Sequence, residues 1–444
     1  MNRTFVLKVM GMFFLTLLMA WAVSNINGII LERQASQQSA KTRVANSMTG
    51  EQTVIGPILM VPYYEEYPYT IGEGKNKKTE VIREDGITYV LPESLRLSGG
   101  FTNESKKSGI YKVLMYQLGG TIHGSFRLPA HFNVAPKHEN GNITFKTAYL
   151  SIGISDTRGI NGKPALLWNK VPYKFLQGSR IKPFGNGIHA PIEALDPENE
   201  RTVPFEFKLN LRGTEQFRFT PIGDNNVVTL QSSWQHPHFD GSFLPDPATQ
   251  RVAPGGFSAD WAVSSLSSSN QAQLVNLMQV GNNSNALESL EIGFIEPINV
   301  YSLSDRATKY GLLFIGLTFA GFFIFELMKQ LRIHPAQYTM VGLAMAMFYL
   351  LLISLSEHIG FGASYFIASL SCVSLLGYYL RYVLKSKVNG GIFATLLTAL
   401  YGALYGILQS EDNALLMGSL LIFGLLALVM VITRKVDWYQ IGSH

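Results

Sequence analysis

The chain has 444 residues, of which 47% are hydrophobic and 15% charged, whereas roughly a quarter are charged in ordinary soluble proteins. The net charge of +5 comes from lysines and arginines that form no basic stripe interleaved with aromatics and often flank apolar runs, which argues against a nucleic-acid partner. Cys372 is the single cysteine, so disulfide stapling and a Cys₂ or Cys₄ zinc site are both excluded, and a buried small apolar residue is the expected reading of it.

Charge is also unevenly spread. Residues 32–309 carry most of it, and 310–433 are nearly free of it outside short gaps. A soluble core does not segregate in this way, whereas membrane helices joined to a water-exposed domain do. The expected fold class is therefore membrane α plus all-β: an N-terminal transmembrane anchor, a large β-rich extracytoplasmic domain and a C-terminal five-helix transmembrane bundle. The expected divisions are 1–31 for the first helix, 32–50 for a linker, 51–305 for the β-rich domain, 306–436 for the bundle and 437–444 for a tail.

The first element is the run Val9 to Leu31, without a charged residue, between Arg3 and Lys8 on one side and Glu32-Arg33 on the other. It is long enough to cross a bilayer core about 30 Å thick. Ala20-Trp21-Ala22 mimics a signal-peptide cleavage pattern. Val23, Ile26, Ile29, Ile30 and Leu31 continue the apolar run past it, which favours an uncleaved anchor. Residues 32–50 are polar and proline-free, and either continue this helix or link it onward.

From Val54 the pattern changes to period two. Phe205-Glu206-Phe207-Lys208-Leu209-Asn210-Leu211 alternates without a break, and similar alternation marks Ile110–Leu118, Ile143–Ile154 and Val227–Trp234. Gly99-Gly100, Gly119-Gly120, Asn140-Gly141-Asn142 and Gly223-Asp224-Asn225-Asn226 are expected to be the turns between them. Strands so divided predict an antiparallel sandwich or barrel-like sheet. Gln271–Gly281 is the expected helical insertion and Gly281–Ser284 a loop. His236, His238 and Asp240 would share one strand face and could bind a divalent metal, but Pro237 makes the segment read as a turn.

Five further spans follow at Tyr310–Phe325, Gln337–Leu355, Phe361–Leu380, Gly391–Leu408 and Ala414–Ile432. Lys329 and Arg332, then Arg381, Lys385 and Lys387, then Arg434 and Lys435 sit in alternate gaps, while Ser356-Glu357-His358 and Ser410-Glu411-Asp412-Asn413 contain no lysine or arginine. Positive residues gather on cytoplasmic loops, so six helices place both termini in the cytoplasm and the large domain outside. Tyr301 and Tyr310 at one interface, and Tyr378, Tyr379, Tyr382, Trp438 and Tyr439 at the other, suit the headgroup level.

Several stretches resemble the CreD family of bacterial inner-membrane proteins. They are Leu303-Ser304-Asp305-Arg306-Ala307-Thr308-Lys309-Tyr310, Ser155-Asp156-Thr157-Arg158-Gly159-Ile160, and Trp234–Pro245 ending Gly241-Ser242-Phe243-Leu244-Pro245. In the bundle, Phe348-Tyr349-Leu350-Leu351-Leu352, Ser354-Leu355-Ser356-Glu357-His358 and Asp437-Trp438-Tyr439 match as well. The resemblance runs from Gly56-Pro57 to the last residues. It implies an inner-membrane protein of cell-envelope integrity, tied to a two-component stress response and to β-lactam and colicin tolerance. It implies no catalytic residues.

The residues themselves add candidates. Asp305, Arg306 and Lys309 lie before the second span, where basic residues run against the positive-inside bias, so ion pairing that couples domain to bundle is the favoured role. Glu357 and His358 end the third span; a polar pair closing the helix and docking the domain is favoured over proton or cation handling. Glu411 and Asp412 could extend them into an acidic rim or simply solvate the turn. Glu326 is expected to snorkel or to pair with Lys329 or Lys385. Gly402-xxx-Gly406 permits close helix approach. No phosphate loop, H-E-x-x-H or G-x-S-x-G is present. The expectation is a non-enzymatic protein without cofactors, with membrane lipids and envelope proteins or peptidoglycan-associated components as partners. A transporter or lipid-handling protein using the bundle is the alternative.

Overall fold

The computed structural model describes residues 3–71, 78–181, 184–193, 195–280, 287–294, 299–328, 333–384, 386–410 and 414–434. Seven helices are described: α1 (Arg3–Ser47), α2 (Asn270–Val280), α3 (Val300–Met328), α4 (Pro335–Ile359), α5 (Phe361–Val383), α6 (Lys387–Gln409) and α7 (Ala414–Thr433). The strands run in chain order as β1 (Gln52–Ile71), β2 (Lys78–Val90), β3 (Ser94–Ser108), β4 (Tyr111–Leu128), β5 (Asn142–Phe145), β6 (Ala148–Ile154), β7 (Ala165–Trp168), β8 (Val171–Lys174) and β9 (Leu176–Gln177). They continue as β10 (Gly187–Ile192), β11 (Arg201–Thr214), β12 (Gln216–Thr220), β13 (Asn225–Ser232), β14 (Pro237–Gly241), β15 (Arg251–Ala253), β16 (Gly256–Ser264) and β17 (Leu290–Phe294).

The chain divides into two compact units, one of Met1–Gln38 with Ile298–His444 and one of Ser39–Pro297. In the helical unit, four C-terminal helices and α1 are long and apolar enough to cross a membrane among the described residues. The last expected span forms α7, twenty residues without a charged side chain. Two local devices set the boundaries. His334 caps α4 by accepting from Ala336 N, with Pro335 at the first helical position, where its missing N–H is no loss. Gly360, at φ +81°, ends α4 and starts α5, a conformation that glycine adopts without a Cβ penalty. Residues 32–47 continue α1, one of the two readings of that polar stretch, and the helix of the second span begins ten residues before the expected Tyr310, at Val300, because 300–309 already form the first turns of α3.

The β unit holds two sheets. One has the order β14-β17-β12-β1-β6-β10-β9, with β2 and β5 also on β1; the other runs β15-β16-β13-β3-β4-β11-β7-β8. The expected antiparallel plan is mixed in fact: β12 runs parallel to β1, and β13 parallel to β3. Both sheets contribute to one apolar core. Phe101 on β3 and Tyr116 on β4 meet Phe217 on β12 and Phe294 on β17, with ring centroids 5.0–5.4 Å apart from Phe101. The Tyr116 hydroxyl donates to Gln216 O at 2.7 Å, which satisfies the one polar atom those rings bring inside.

Three further corrections concern strands. Gly99-Gly100 and Gly119-Gly120 are not turns: they face each other in the middle of β3 and β4. A Cβ on Gly99 would lie 2.6 Å from Gly119 O, so the glycines permit a close strand approach. The stretch 143–154 is two strands, and all seven residues of β6 are buried, so alternation is lost there. His236-Pro237-His238 does not form a turn, since Pro237 begins β14 on β17. That strand lies at the sheet edge, where a missing N–H is tolerated.

Candidate functional site

The polar side chains on α1 make contacts in each unit. In the helical unit, Thr308 Oγ1 on α3 donates to Asn27 Oδ1 at 3.1 Å, and Asn299 Nδ2 reaches Gln37 Oε1 at 3.4 Å. Ten residues along α1 thus match the nine from Asn299, just before α3, to Thr308 in the reverse direction, the register of an antiparallel helix pair. Met19, Val23, Ile26 and Ile30 are the buried stripe of α1. Gly342 on α4 lets α1 approach, since a Cβ there would sit 2.7 Å from Met19.

Glu357, in the last turn of α4, joins this pair. Its Oε1 accepts from the Tyr301 hydroxyl at 3.1 Å and lies 3.6 Å from Arg33 Nε. The side chain is 11% exposed against 48% for Arg33, so a shielded carboxylate ties three helices through one ion pair and one hydrogen bond. The neighbouring His358 is exposed on the same turn. Asp305 and Lys309 pair with each other at 2.7 Å, one turn apart on α3, and Arg306 is half-buried beside them.

Glu326 does not snorkel. It is 2% exposed, and its two oxygens accept from Ile333 N and from the Tyr338 hydroxyl, both at 2.9 Å. It closes the α3–α4 hairpin by satisfying donors that lipid would leave bare. Its expected partners Lys329 and Lys385, and the rim residues Glu411 and Asp412, lie outside the described residues. Cys372 is buried as expected, its sulfur 3.3 Å from the Tyr401 hydroxyl. Gly402-xxx-Gly406 does not mark a close helix contact: a Cβ on Gly402 meets nothing within 4 Å. The tight place between α5 and α6 is Gly390, where a Cβ would lie 2.8 Å from Arg381 Cα.

In the β unit, the end of α1 is clamped. The last carbonyls of a helix lack intrahelical donors and carry the negative end of its dipole. Arg158 supplies both a charge and donors, Nη1 to Asn46 O at 2.6 Å and Nη2 to Ala45 O at 3.3 Å. Asp156 holds that guanidinium through two bonds, Nε to Oδ1 at 2.9 Å and Nη2 to Oδ2 at 2.6 Å. Gly50 N also donates to Asp156 Oδ2 at 3.4 Å. The Arg158 guanidinium keeps the Asp156 carboxyl below the usual carboxylate range, with the Arg158 and Gly50 amides assisting and burial opposing. Gln52 Nε2 donates to Asp156 O and Arg212 O at 2.9 Å each. A Cβ on Gly159 would lie 2.4 Å from Arg212 O, so only glycine fits the turn. Lys41 pairs with Glu215 at 2.5 Å, and Val44 packs on Val113 and Met115.

The disfavoured metal trio of His236, His238 and Asp240 does not converge. His238 Nε2 lies 3.6 Å from Asp240 Oδ2, both side chains exposed, and no group of three or more potential ligands converges among the described residues. Sequence reasoning missed the clamp, Arg33, Tyr301 and the Asn27–Thr308 contact. The Asp-x-Arg-Gly spacing of 156–159 was a usable signal for a carboxylate that orients an arginine at a tight turn. The partners of Arg33 and Tyr301 lie hundreds of residues away or on another helix, and no local signal marks them.

A two-sheet β domain and several helices long and apolar enough to cross a membrane, in one chain, define the class, an integral membrane protein. The profile of the family described as Inner membrane protein CreD matches residues 4–439. Inner membrane protein CreD of Escherichia coli (strain K12) is 35% identical over 434 residues, covering 97% of this chain and 93% of that one. The chain belongs to the CreD family of inner-membrane proteins. Among solved structures, an M1 zinc metallopeptidase from Deinococcus radiodurans aligns at 12% identity and a TM-score of 0.20, over 45% of this chain and 40% of that one. So slight a likeness carries no argument.

Proposed function

We propose that this inner-membrane protein maintains cell-envelope integrity under stress without catalysing a reaction, by presenting its β domain to envelope components in the periplasm. On this reading both termini are cytoplasmic, α1 is retained, and the partners are lipids with envelope proteins or peptidoglycan-associated components. The observation that carries it is the use made of the shielded acidic groups: Glu357 binds Arg33 and Tyr301, Glu326 closes a hairpin, and Asp156 orients the arginine on the end of α1. Each is engaged in holding elements together. The alternation of lysine and arginine between the gaps supports the orientation, and the burial of Met19 and Val23 supports retention of α1.

The test is a deletion strain complemented with this chain or with Leu266→Cys, a site 97% exposed. Cys372 is buried, so the new thiol dominates labelling. The expected results are restored barrier function under β-lactam challenge and labelling by a membrane-impermeant maleimide from the periplasmic side. A deletion without barrier loss, or a thiol reached only from the cytoplasm, overturns the proposal. One observation favours lipid handling instead: α5 and α6 bound an open groove of about 390 Å³ beside Tyr365, Tyr401 and Tyr405. Loss of barrier protection on filling it with Gly402→Phe, with the fold intact, moves the reading there.

A further inference from the structure

A cavity in the β unit lies where a strand is missing. On one side of β1 the chain lays down β5 and then β6, nearly end to end, against Tyr63–Glu66 and Val54–Met60. The next strand out, β10, pairs with β6 from Gly187 to Ile192, its last residue opposite Ala148. A straight continuation of β10 would run along β5. The chain turns away instead, and β5 has no strand on its outer edge among the described residues. A cavity of about 800 Å³ fills the notch, and every residue of β5 lines it.

Its far wall is held in place. His131, Phe132 and Asn133 all have φ between +48° and +56°, a left-handed turn that non-glycine residues rarely make. His131 N donates to Pro197 O at 2.6 Å, and Val134 N to His131 O at 2.9 Å. This turn drives Phe132 into the core, 3% exposed, with its ring edge-on to Phe145 of β5 at 5.1 Å. The lining is mixed, with Val61, Ala148, Ile192 and Leu195 beside Asn142, Thr144 and Thr147. Of the charged groups at the rim, Lys146 pairs with Asp85 at 2.6 Å, and His131 lies 4.0 Å from Glu198, a charge pair only when the imidazole is protonated.

We propose that this notch is a peptide-binding groove that takes an extended, uncharged segment of a partner polypeptide as an added strand on β5. The main-chain edge of β5 supplies directional hydrogen bonds, which an acyl chain or a helix has no way to use. The pleat sends alternate side chains of the guest toward the wall where Phe132 meets Phe145, so specificity lies in apolar residues at every second position. The four residues of β5 admit about four guest residues at ~3.3 Å each. An edge left open in a folded domain invites pairing with another chain; here the flanking walls limit the guest to one strand.

The test uses the purified full chain in detergent micelles and a displayed random octapeptide library. Selection is run against the native chain and against Ala135→Trp and Thr147→Trp, which fill the notch from its two walls. The expected winners carry apolar residues at alternate positions, bind both filled variants about tenfold more weakly, and slow amide exchange across residues 142–145. Amide exchange in β11 checks that each variant is folded, and the groove proposal survives the loss of one variant because the other remains. Enrichment that is equal on native and filled chains, the absence of any enriched peptide, or protection confined to other segments overturns it. Because the purified protein alone is used, such a failure leaves the envelope role untouched.

Discussion

Strand β11 and helix α5 differ in which large side chains they leave on the surface. Along β11, Val203, Phe205, Phe207, Leu209 and Leu211 are buried, while Glu206, Lys208 and Asn210 between them face water. Along α5, Phe366, Leu370 and Leu375 are 66%, 54% and 58% exposed, whereas Ser364, Tyr365 and Cys372 are buried. The buried hydroxyls find acceptors inside, Ser364 at Gly360 O and Tyr365 at Tyr401 O. One rule explains both: each element hides what its surroundings do not solvate. Water leaves apolar surface to be hidden in the β unit, and lipid leaves polar groups to be hidden among the helices.

The comparison breaks most readily at a pair of phenylalanines. Phe217 is fully buried between the sheets and Phe366 faces outward on α5. Phe217→Ala is expected to destabilise the β unit by about 3–5 kcal/mol, whereas Phe366→Ala in micelles should change stability by less than about 0.5 kcal/mol. Denaturant titration followed by tryptophan fluorescence for the first, and by helical ellipticity for the second, measures both. Equal losses would erase the distinction. A smaller effect sharpens the lipid side: Glu326→Ala leaves Ile333 N and the Tyr338 hydroxyl without an acceptor, which costs about 2–3 kcal/mol. Tyr338→Phe removes one donor and should lose less. Detergent-induced helix unfolding that ranks Tyr338→Phe below Glu326→Ala would contradict these contacts.

The medium of each segment was legible because hydropathy over a helix length and alternation along a strand each read directly on what surrounds a residue. Phe205–Leu211 and the spans of α4 to α6 stand where their patterns put them. Pairing was less legible. The parallel contacts of β1 with β12 and of β3 with β13 join residues far apart in the chain, and alternation carries no direction. Glycine misled because Gly99-Gly100 and Gly119-Gly120 look like turns in isolation, yet they are mutual partners in one ladder. Among the candidate residues, Asp305, Lys309 and Glu357 were singled out by their charge at the ends of apolar runs. What Glu357 binds, Arg33 and Tyr301, depends on the antiparallel seating of α1 on α3, and that follows from packing stripes no local motif encodes. His358 had the same claim by position and is exposed.

The smallest effect tests the clamp on α1, where polar groups meet water. The Arg158 guanidinium and two backbone amides hold the folded Asp156 carboxyl below its unfolded value, against the opposing pull of burial. A depressed carboxylate contributes stability that is present above the unfolded pKa and lost as pH falls through the folded one. The clamp should therefore be intact at neutral pH and loosen only below the ordinary carboxylate range. Its loosening frees Arg158 from Asn46 O and Ala45 O, so amide exchange in the last turn of α1, corrected for its intrinsic pH dependence, should quicken in acid. Asp156→Asn keeps the shape and removes the titration: exchange there should be faster than in the native chain at neutral pH, and the step on acidification should vanish. Solvent at the half-exposed Arg158 keeps the change to severalfold or less. If the native chain and Asp156→Asn show the same profile across that pH range, the guanidinium is held by packing alone, and the charge pair is incidental to how this helix ends.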